Sequence, residues 1–203
     1  MKFNVLYVDP PWQYRNDGKR GKLKGAVSKQ YNSLSIDDLK KLEVCKIVEK
    51  DCILFLWVTN PFIKEGLELV ESWGFEYKTM ITWIKRSYGL GYYFRSKTEH
   101  ILLGIKGSIK AFRSNRPNII QITTPYKYKH SEKPEEFRDI IDEISNNSLE
   151  NPKKLEMFAR KDNSSFIDCK KDWTFIGNEI DGLDIREAID ILNAKNEVLM
   201  ELI

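Results

Sequence analysis

The sequence predicts one α/β domain in which a largely parallel sheet is covered by helices on both faces. Three observations predict it. Short apolar runs that read as buried strands alternate with segments whose apolar residues recur every three to four positions. The 203 residues suit one domain of that class, and 41% hydrophobic with 31% charged residues is the balance of a globular chain. No internal repeat, linker or second compositional block divides the chain, so residues 1–203 read as a single domain.

The first strand is Phe3–Val8, apolar and partly β-branched. It stops at Asp9-Pro10-Pro11-Trp12, because neither proline can donate a backbone hydrogen bond. Residues from about 13 to 33 lack hydrophobic periodicity, and the basic, glycine-punctuated segment Gly18–Gly25 inside them reads as a loop. Ser35 caps a short helix opened by Ile36-Asp37-Asp38-Leu39, where two acids suit the helix dipole. Cys52–Val58 is a second buried strand. Asn60 then caps a helix from Pro61 to Trp73, with Ile63, Leu67, Val70 and Trp73 facing the core and Gly74 as its stop.

Tyr77–Ile84 is a third strand. Residues of about 85–98 form a second loop, and Glu99–Ile105 is the strand returning from it. Ile119–Ile122 is a candidate short strand. Lys133–Ile144 reads as a helix with Pro134 in its first turn and Phe137, Ile140, Ile141 and Ile144 on one face. Asn146–Pro152 is turn-rich. Lys154–Phe158 is a strand leading into a polar loop, and Trp173–Ile176 is a strand ended by Gly177-Asn178-Glu179. Residues of about 185–202 form a terminal amphipathic helix, docked on its own domain or offered to a partner.

In open α/β sheets ligands bind at the C-terminal edge of the strands, which is where Asp9 falls. The groups there match one chemistry. An exocyclic amine on a nucleobase is a poor nucleophile, because its lone pair is delocalised into the ring. Hydrogen bonds from the NH2 group to a carboxylate and a backbone carbonyl hold the nitrogen pyramidal and turn the lone pair toward an electrophile. Asp9 supplies the carboxylate, Pro10 in the rigid Pro10-Pro11 pair the carbonyl, and Trp12 an aromatic face for stacking on the base. The alternative is a strand-terminating turn, since Asp and Pro are ordinary turn residues.

Both loops offer binding groups. Lys19, Arg20, Lys22 and Lys24 suit phosphate contacts, or form a merely solvated loop. Arg86, Tyr88, Tyr92, Tyr93, Phe94, Arg95 and Lys97 interleave cations with aromatics as a groove for a single strand or flipped base would. The alternative is a wide hairpin whose aromatics pack on the sheet. Gly89-Leu90-Gly91 lacks the third glycine and following helix of a dinucleotide fingerprint, and no GxxxxGK[ST] phosphate loop is present.

Composition sets further bounds. A net charge of +3 is mild, so nucleic-acid binding must rest on local patches. Cys45, Cys52 and Cys169 form no CxxC pair, and with His100 and His130 they make no zinc pattern. Such scattered thiols suit a reducing cytoplasm. No run is long and apolar enough to span a membrane, and the N-terminus lacks a signal-peptide pattern.

The order of several motifs carries a resemblance. Asp9–Trp12, Leu54–Pro61, Trp73-Gly74-Phe75, Thr82–Lys85, Gly89–Arg95, Glu99-His100, Gly104–Gly107, His130–Pro134, Phe158-Ala159-Arg160 and Gly177-Asn178-Glu179 follow one another from about Val5 to about Asp184. The sequence resembles the DPPW-motif adenine N6-methyltransferases, the family of the mRNA N6-adenosine methyltransferase catalytic subunit and its bacterial and phage DNA-modifying relatives. The resemblance implies a Rossmann-like S-adenosylmethionine-dependent methyltransferase fold in permuted order, with the catalytic strand first and the cofactor strand, Lys154–Phe158, late. It implies S-adenosyl-L-methionine as cofactor, with Asn178 and Glu179 on the ribose hydroxyls and Lys133 near the cofactor's carboxylate. Arg160 and Asn163 would line the same pocket, and Asp9 would be shared between the cofactor's amino group and the target amine. From the residues alone, Asn178-Glu179 reads as a helix-capping turn after a glycine.

Two features depart from the family pattern. Ile176 stands where many relatives carry tryptophan before Gly-Asn-Glu. Few residues precede the first strand, so the upstream segment that helps to hold the cofactor adenine in larger eukaryotic members is expected to be absent.

The implied activity is direct, metal-free methyl transfer to adenine N6 in nucleic acid, with DNA favoured over RNA and Glu99 on the substrate side. A duplex target would need its adenine flipped out of the stack. RNA adenosine methylation is one rival. A catalytically silent nucleic-acid-binding partner subunit is another, and the intact Asp9-Pro10-Pro11-Trp12 speaks against it. Homo- and hetero-oligomers both remain open.

Overall fold

The computed structural model describes residues 2–14, 33–89, 93–112, 116–122, 133–160 and 172–201. Lys19, Arg20, Lys22, Lys24, Tyr92, His130 and Asn163 lie outside them. The strands are β1 (Phe3–Val8), β2 (Val48–Val58), β3 (Glu76–Ile84), β4 (Thr98–Lys106), β5 (Ile119–Gln121), β6 (Lys154–Met157) and β7 (Trp173–Ile176). The helices are α1 (Ile36–Lys40), α2 (Val44–Ile47), α3 (Ile63–Ser72), α4 (Glu136–Ser148), α5 (Asn178–Asp181) and α6 (Ile185–Glu201).

All seven strands join one sheet in the order β5-β3-β4-β2-β1-β6-β7. β1 is parallel to β2 and β6, β6 to β7, and β3 to β5. β4 runs antiparallel to both of its neighbours, β2 and β3. Six strands therefore share one direction and β4 opposes them, which makes the sheet largely parallel as the sequence predicts.

Side-chain alternation along β1 sends Leu6 and Val8 to one face and Val5 and Tyr7 to the other. Leu6 and Val8 join Leu54, Leu56 and Val58 of β2, under Leu39 of α1, Ile47 of α2, Leu69 and Val70 of α3, and Ile185, Ala188 and Ile189 of α6. Val5 and Tyr7 join Ile53, Phe55 and Trp57, under Phe137, Ile140, Ile141 and Ile144 of α4. Both faces are thus covered, which is why β1 and the end of β2 are apolar at nearly every position. Ile185, Ala188, Ile189 and Leu192 of the terminal helix pack on its own domain.

Four expectations need correction. Asn60 does not cap a helix: it opens a 3₁₀ turn over Asn60–Phe62, and α3 starts only at Ile63. Pro61 lies in that turn, where its missing N–H costs nothing. The helix expected over Lys133–Ile144 starts at Glu136, so Lys133 and Pro134 precede it. It continues to Ser148, and in its last turns the Ser145 and Ser148 hydroxyls donate back to the carbonyls of Asp142 (3.2 Å) and Ile144 (2.7 Å). β2 begins at Val48 rather than Cys52, and β6 ends at Met157 because Phe158 turns left-handed at φ 62°. Ser35 does cap α1, its Oγ accepting from the Asp38 N–H at 3.1 Å. Gly74 does stop α3, at φ +79°.

Candidate active site

Register brings the candidate residues to one edge. Val8 pairs with Leu56 and Met157, and Met157 with Ile176, so β1, β2, β6 and β7 end together. The reversed β4 starts at this edge: His100 pairs with Val58 and Thr82, and Glu99 with Trp83. Asp9, at the end of the central strand, thus has Glu99 and Lys85 on one side and Arg160, Asn178 and Glu179 on the other.

Lys133 ties the centre together. Its ammonium donates to Asp9 Oδ2 at 2.9 Å and lies 3.5 Å from Glu99 Oε2. Lys85 donates to Glu99 Oε1 at 2.9 Å. Two carboxylates and two cations alternate, with Lys133 only 13% exposed, Glu99 16% and Asp9 24%. Burial alone would push the Lys133 ammonium down, but the Asp9 and Glu99 carboxylates outweigh it and hold its pKa above the ordinary lysine value. Burial likewise works to raise Glu99, and Lys133 and Lys85 reverse this, holding it below the usual carboxylate value. Lys133 also sits 5.2 Å over the ring of buried Trp57, whose negative π face favours the cation.

The start of β4 is pinned by a side-chain chain that the sequence did not disclose. Asn60 Nδ2 donates to Ser96 Oγ at 2.8 Å and approaches the Thr98 carbonyl at 3.5 Å. That carbonyl can only accept, so Asn60 Oδ1 faces His100 Nε2, at 2.7 Å, which must carry the proton. His100 Nδ1 then accepts from the Thr82 hydroxyl at 3.0 Å. Burial lowers the His100 pKa against the pull of Glu99, in keeping with a neutral ring.

The Pro10 carbonyl accepts from the Trp12 N–H at 2.9 Å, a tight three-residue turn. A carbonyl has a second lone pair, so this leaves acceptor capacity for an amine. The Pro11 carbonyl accepts from Leu34 N–H at 3.0 Å. Trp12 is 8% exposed; its ring stacks on Phe62 at 5.2 Å and donates its indole N–H to the Trp57 carbonyl at 3.1 Å. It anchors the turn that presents Asp9.

On the other side of Asp9, backbone shape replaces side-chain pairing. Phe158 is left-handed, which is uncommon for an aromatic and marks a constrained turn. A Cβ on Gly177 would lie 2.7 Å from the Ala159 carbonyl oxygen and 2.8 Å from its nitrogen. Glycine there lets the end of β7 lie against Ala159, whose N–H donates to the Ile176 carbonyl at 3.0 Å. Asn178 and Glu179 follow at once, exposed, in the first turn of α5, and neither side chain serves as its cap. Arg160 is near enough to Lys133 for its charge to oppose that ammonium.

Arg86 and Arg95 are exposed on the β3–β4 connection. Its two arms pair, Lys85 N–H to the Lys97 carbonyl at 2.8 Å and Gly89 N–H to the Ser96 carbonyl at 2.6 Å, so the hairpin reading holds for the backbone. It fails for the aromatics: Tyr88, Tyr93 and Phe94 are 66%, 97% and 91% exposed.

Beneath the site, Arg138 of α4 forks onto Glu156 of β6 at 2.6 and 2.7 Å, both groups buried. Lys154 pairs with Asp142 at 2.9 Å. Lys154 and Glu156 sit two apart in an otherwise apolar strand, and that spacing was the signal available for a polar contact under α4.

Residues 3–179 match the family model described as MT-A70, a span that takes in every described site residue from Asp9 to Glu179. The chain belongs to the MT-A70 family. MT-A70 proteins are S-adenosylmethionine-dependent methyltransferases. Among relatives, the type II methyltransferase M.MunI of Mycoplasma sp is 37% identical over 174 residues, covering 78% of this chain and 72% of that protein. The N(6)-adenosine-methyltransferase catalytic subunit METTL3 of Homo sapiens is 27% identical over 192 residues, covering 91% of this chain and 29% of METTL3. The zebrafish METTL3 subunit (Danio rerio) gives 28% over 192 residues, again 29% of that protein. The alignments with METTL3 thus take in 91% of this chain but under a third of either METTL3. Among the described residues, no helix is long and apolar enough to cross a membrane.

Proposed function

We propose that the chain methylates the N6 amine of adenine in nucleic acid, with DNA favoured over RNA. The observation that carries this is Asp9 at the end of the central strand, recessed and fixed by Lys133 at 2.9 Å. A recessed, oriented carboxylate beside a proline carbonyl is what an amine nucleophile needs. The likeness to M.MunI, which extends over most of that protein, supports DNA; the likeness to METTL3 supports RNA as the second reading.

The residues on the β6–β7 side fit the cofactor. An amide and a carboxylate, Asn178 and Glu179, suit a ribose diol, and the close Gly177–Ala159 approach, which a side chain at 177 would block, sets the turn that carries them. Lys133 and Arg160 would hold the cofactor's carboxylate. S-adenosylmethionine supplies an electrophilic methyl group on a sulfonium. Asp9 accepts one amine N–H and the Pro10 carbonyl the other, which directs the nitrogen lone pair. Positive charge would pass from sulfur to nitrogen as the N–C bond forms and the sulfonium's S–C bond breaks to leave a neutral thioether, and the Asp9 carboxylate would stabilise it. The surplus proton then leaves nitrogen by way of Asp9 to solvent. Lys133 at Oδ2 does not exhaust Asp9, since a carboxylate offers about four lone-pair sites.

The test is incubation with methyl-labelled S-adenosylmethionine and separate DNA and RNA pools, followed by nucleoside analysis. Label in N6-methyldeoxyadenosine is expected. Label confined to RNA would move the activity to the second reading, and label in cytosine would remove adenine as the target.

A further inference from the structure

Tyr93 and Phe94 are consecutive aromatics that stand almost wholly in water, 97% and 91% exposed. Large exposed apolar side chains paired like this usually serve a partner. Their mount is firm. The arms of the loop are joined at 85–97 and 89–96, and Ser96 and Thr98 are held by Asn60, itself fixed on His100. Cations surround the pair: Arg95 is adjacent, Arg86 lies exposed on the other arm, and Lys97 rests 5.3 Å over Tyr88. Aromatics set among cations suit a polyanion with stacked, flat interiors. The next strand residue beyond the stem is Glu99, which shares Lys133 with Asp9.

The position of Asp9 adds a constraint. It is 24% exposed at the strand edge, and the amine of a paired adenine is tied up in its base pair within the stack. A paired adenine must leave its duplex, and the stack then has a gap one base deep, about 3.4 Å. A flat ring from the protein can close such a gap and offset part of the unstacking cost. We propose that Tyr93 and Phe94 enter a nucleic-acid duplex at the target pair and occupy the space left by the extruded adenine, so the substrate is double-stranded. This rests on the methylation reading above.

The test uses the full chain, a randomised 40-base-pair duplex DNA pool and the same strands unpaired, with labelled S-adenosylmethionine. Tyr93→Ala/Phe94→Ala is compared with wild type and with Tyr93→Phe/Phe94→Tyr, which keeps both rings. The exposed positions predict an unchanged melting temperature. The alanine variant should lose tenfold or more in kcat/KM on the duplex and less than twofold on unpaired strands, and the ring-keeping variant should retain duplex activity. Equal losses on both pools would make the rings a general contact and overturn the proposal, as would undiminished duplex activity or wild-type labelling of unpaired strands only. A wild-type dimer in sedimentation that the alanine variant loses would assign the rings to a second copy instead. A wild type that labels neither DNA pool but labels RNA, or nothing, removes the DNA reading first and the duplex wedge with it.

Discussion

Lys133→Met is the most discriminating change at the centre of the site. Methionine keeps an unbranched apolar side chain against Trp57 but removes the cation that lies 2.9 Å from Asp9 and 3.5 Å from Glu99. Two carboxylates, 24% and 16% exposed, then face each other, with Lys85 still paired to Glu99. Removing one partner of a fully buried pair costs about 3–5 kcal/mol. Partial exposure reduces this, and about 1–3 kcal/mol is expected at pH 7. For a chain of this size that is a fall in Tm of about 2–12 °C.

The pH dependence separates charge from packing. Glu99 is held below its ordinary pKa of 4.5, so its contribution is present above that value and lost as pH falls through the folded value. Lys133 is held above 10.5, so its contribution is full below 10.5 and lost at still higher pH. Between these limits wild type carries both contributions, whereas the variant has lost the attraction. The difference in unfolding free energy should therefore be largest near pH 7 and shrink toward pH 4 and below. Urea unfolding of both proteins at pH 4, 5.5 and 7 measures it. A difference that stays constant across that range would make Lys133 a packing residue and refute the electrostatic account.

Other predictions follow from the same geometry. Asp9→Asn should slow single-turnover methylation at saturating cofactor on the order of a hundredfold while changing substrate affinity much less, because the lost interaction strengthens in the transition state; a near-normal single-turnover rate would reduce the tetrapeptide to a turn. Asn178→Ala should weaken S-adenosylmethionine binding by roughly 1–3 kcal/mol in calorimetry, since it strips one partner from a polar contact; unchanged affinity removes Asn178 from the cofactor site. Neutralising Lys19, Arg20, Lys22 and Lys24 together should weaken binding to all nucleic-acid sequences and flatten its salt dependence; an identical salt slope in filter binding would leave that segment without a phosphate role.

What was legible in the sequence was what depends on local pattern. Phe3–Val8 and Trp173–Ile176 were read with their observed ends, because apolar runs stopped by Asp-Pro-Pro and by Gly-Asn announce both boundaries. The place of Asp9 at a strand end was legible because the stop after it, Pro10-Pro11, is its own neighbour. The errors share a different cause. Asn60 looked like a cap because Asn before Pro usually is one. Its actual partners, Ser96, Thr98 and His100, are 36 to 40 positions away and are set only by strand pairing. Nothing local to Trp12 reveals its contacts with Phe62 and the Trp57 carbonyl, 50 and 45 positions on. Lys133 had to await the placement of Asp9, 124 positions earlier in the chain.

The reversed strand β4 explains why these distant groups meet. Had β4 run with its neighbours, its first residues would lie at the opposite edge, about 30 Å from Asp9 at about 3.3 Å per residue over nine residues. Running antiparallel, it delivers Glu99 and His100 to the edge where β1, β2 and β3 end. The consequence is chemical. Glu99 is held between Lys85 and Lys133, and Lys133 is shared with Asp9, so Asp9 is coupled by one cation to the strand that follows the exposed aromatics. On the proposed reading, displacement of the β3–β4 loop by a bound duplex would be transmitted through Thr98 and Glu99 to Lys133, and hence to the hydrogen bond that fixes Asp9. Substrate engagement and the orientation of Asp9 would then be linked by two residues of one strand.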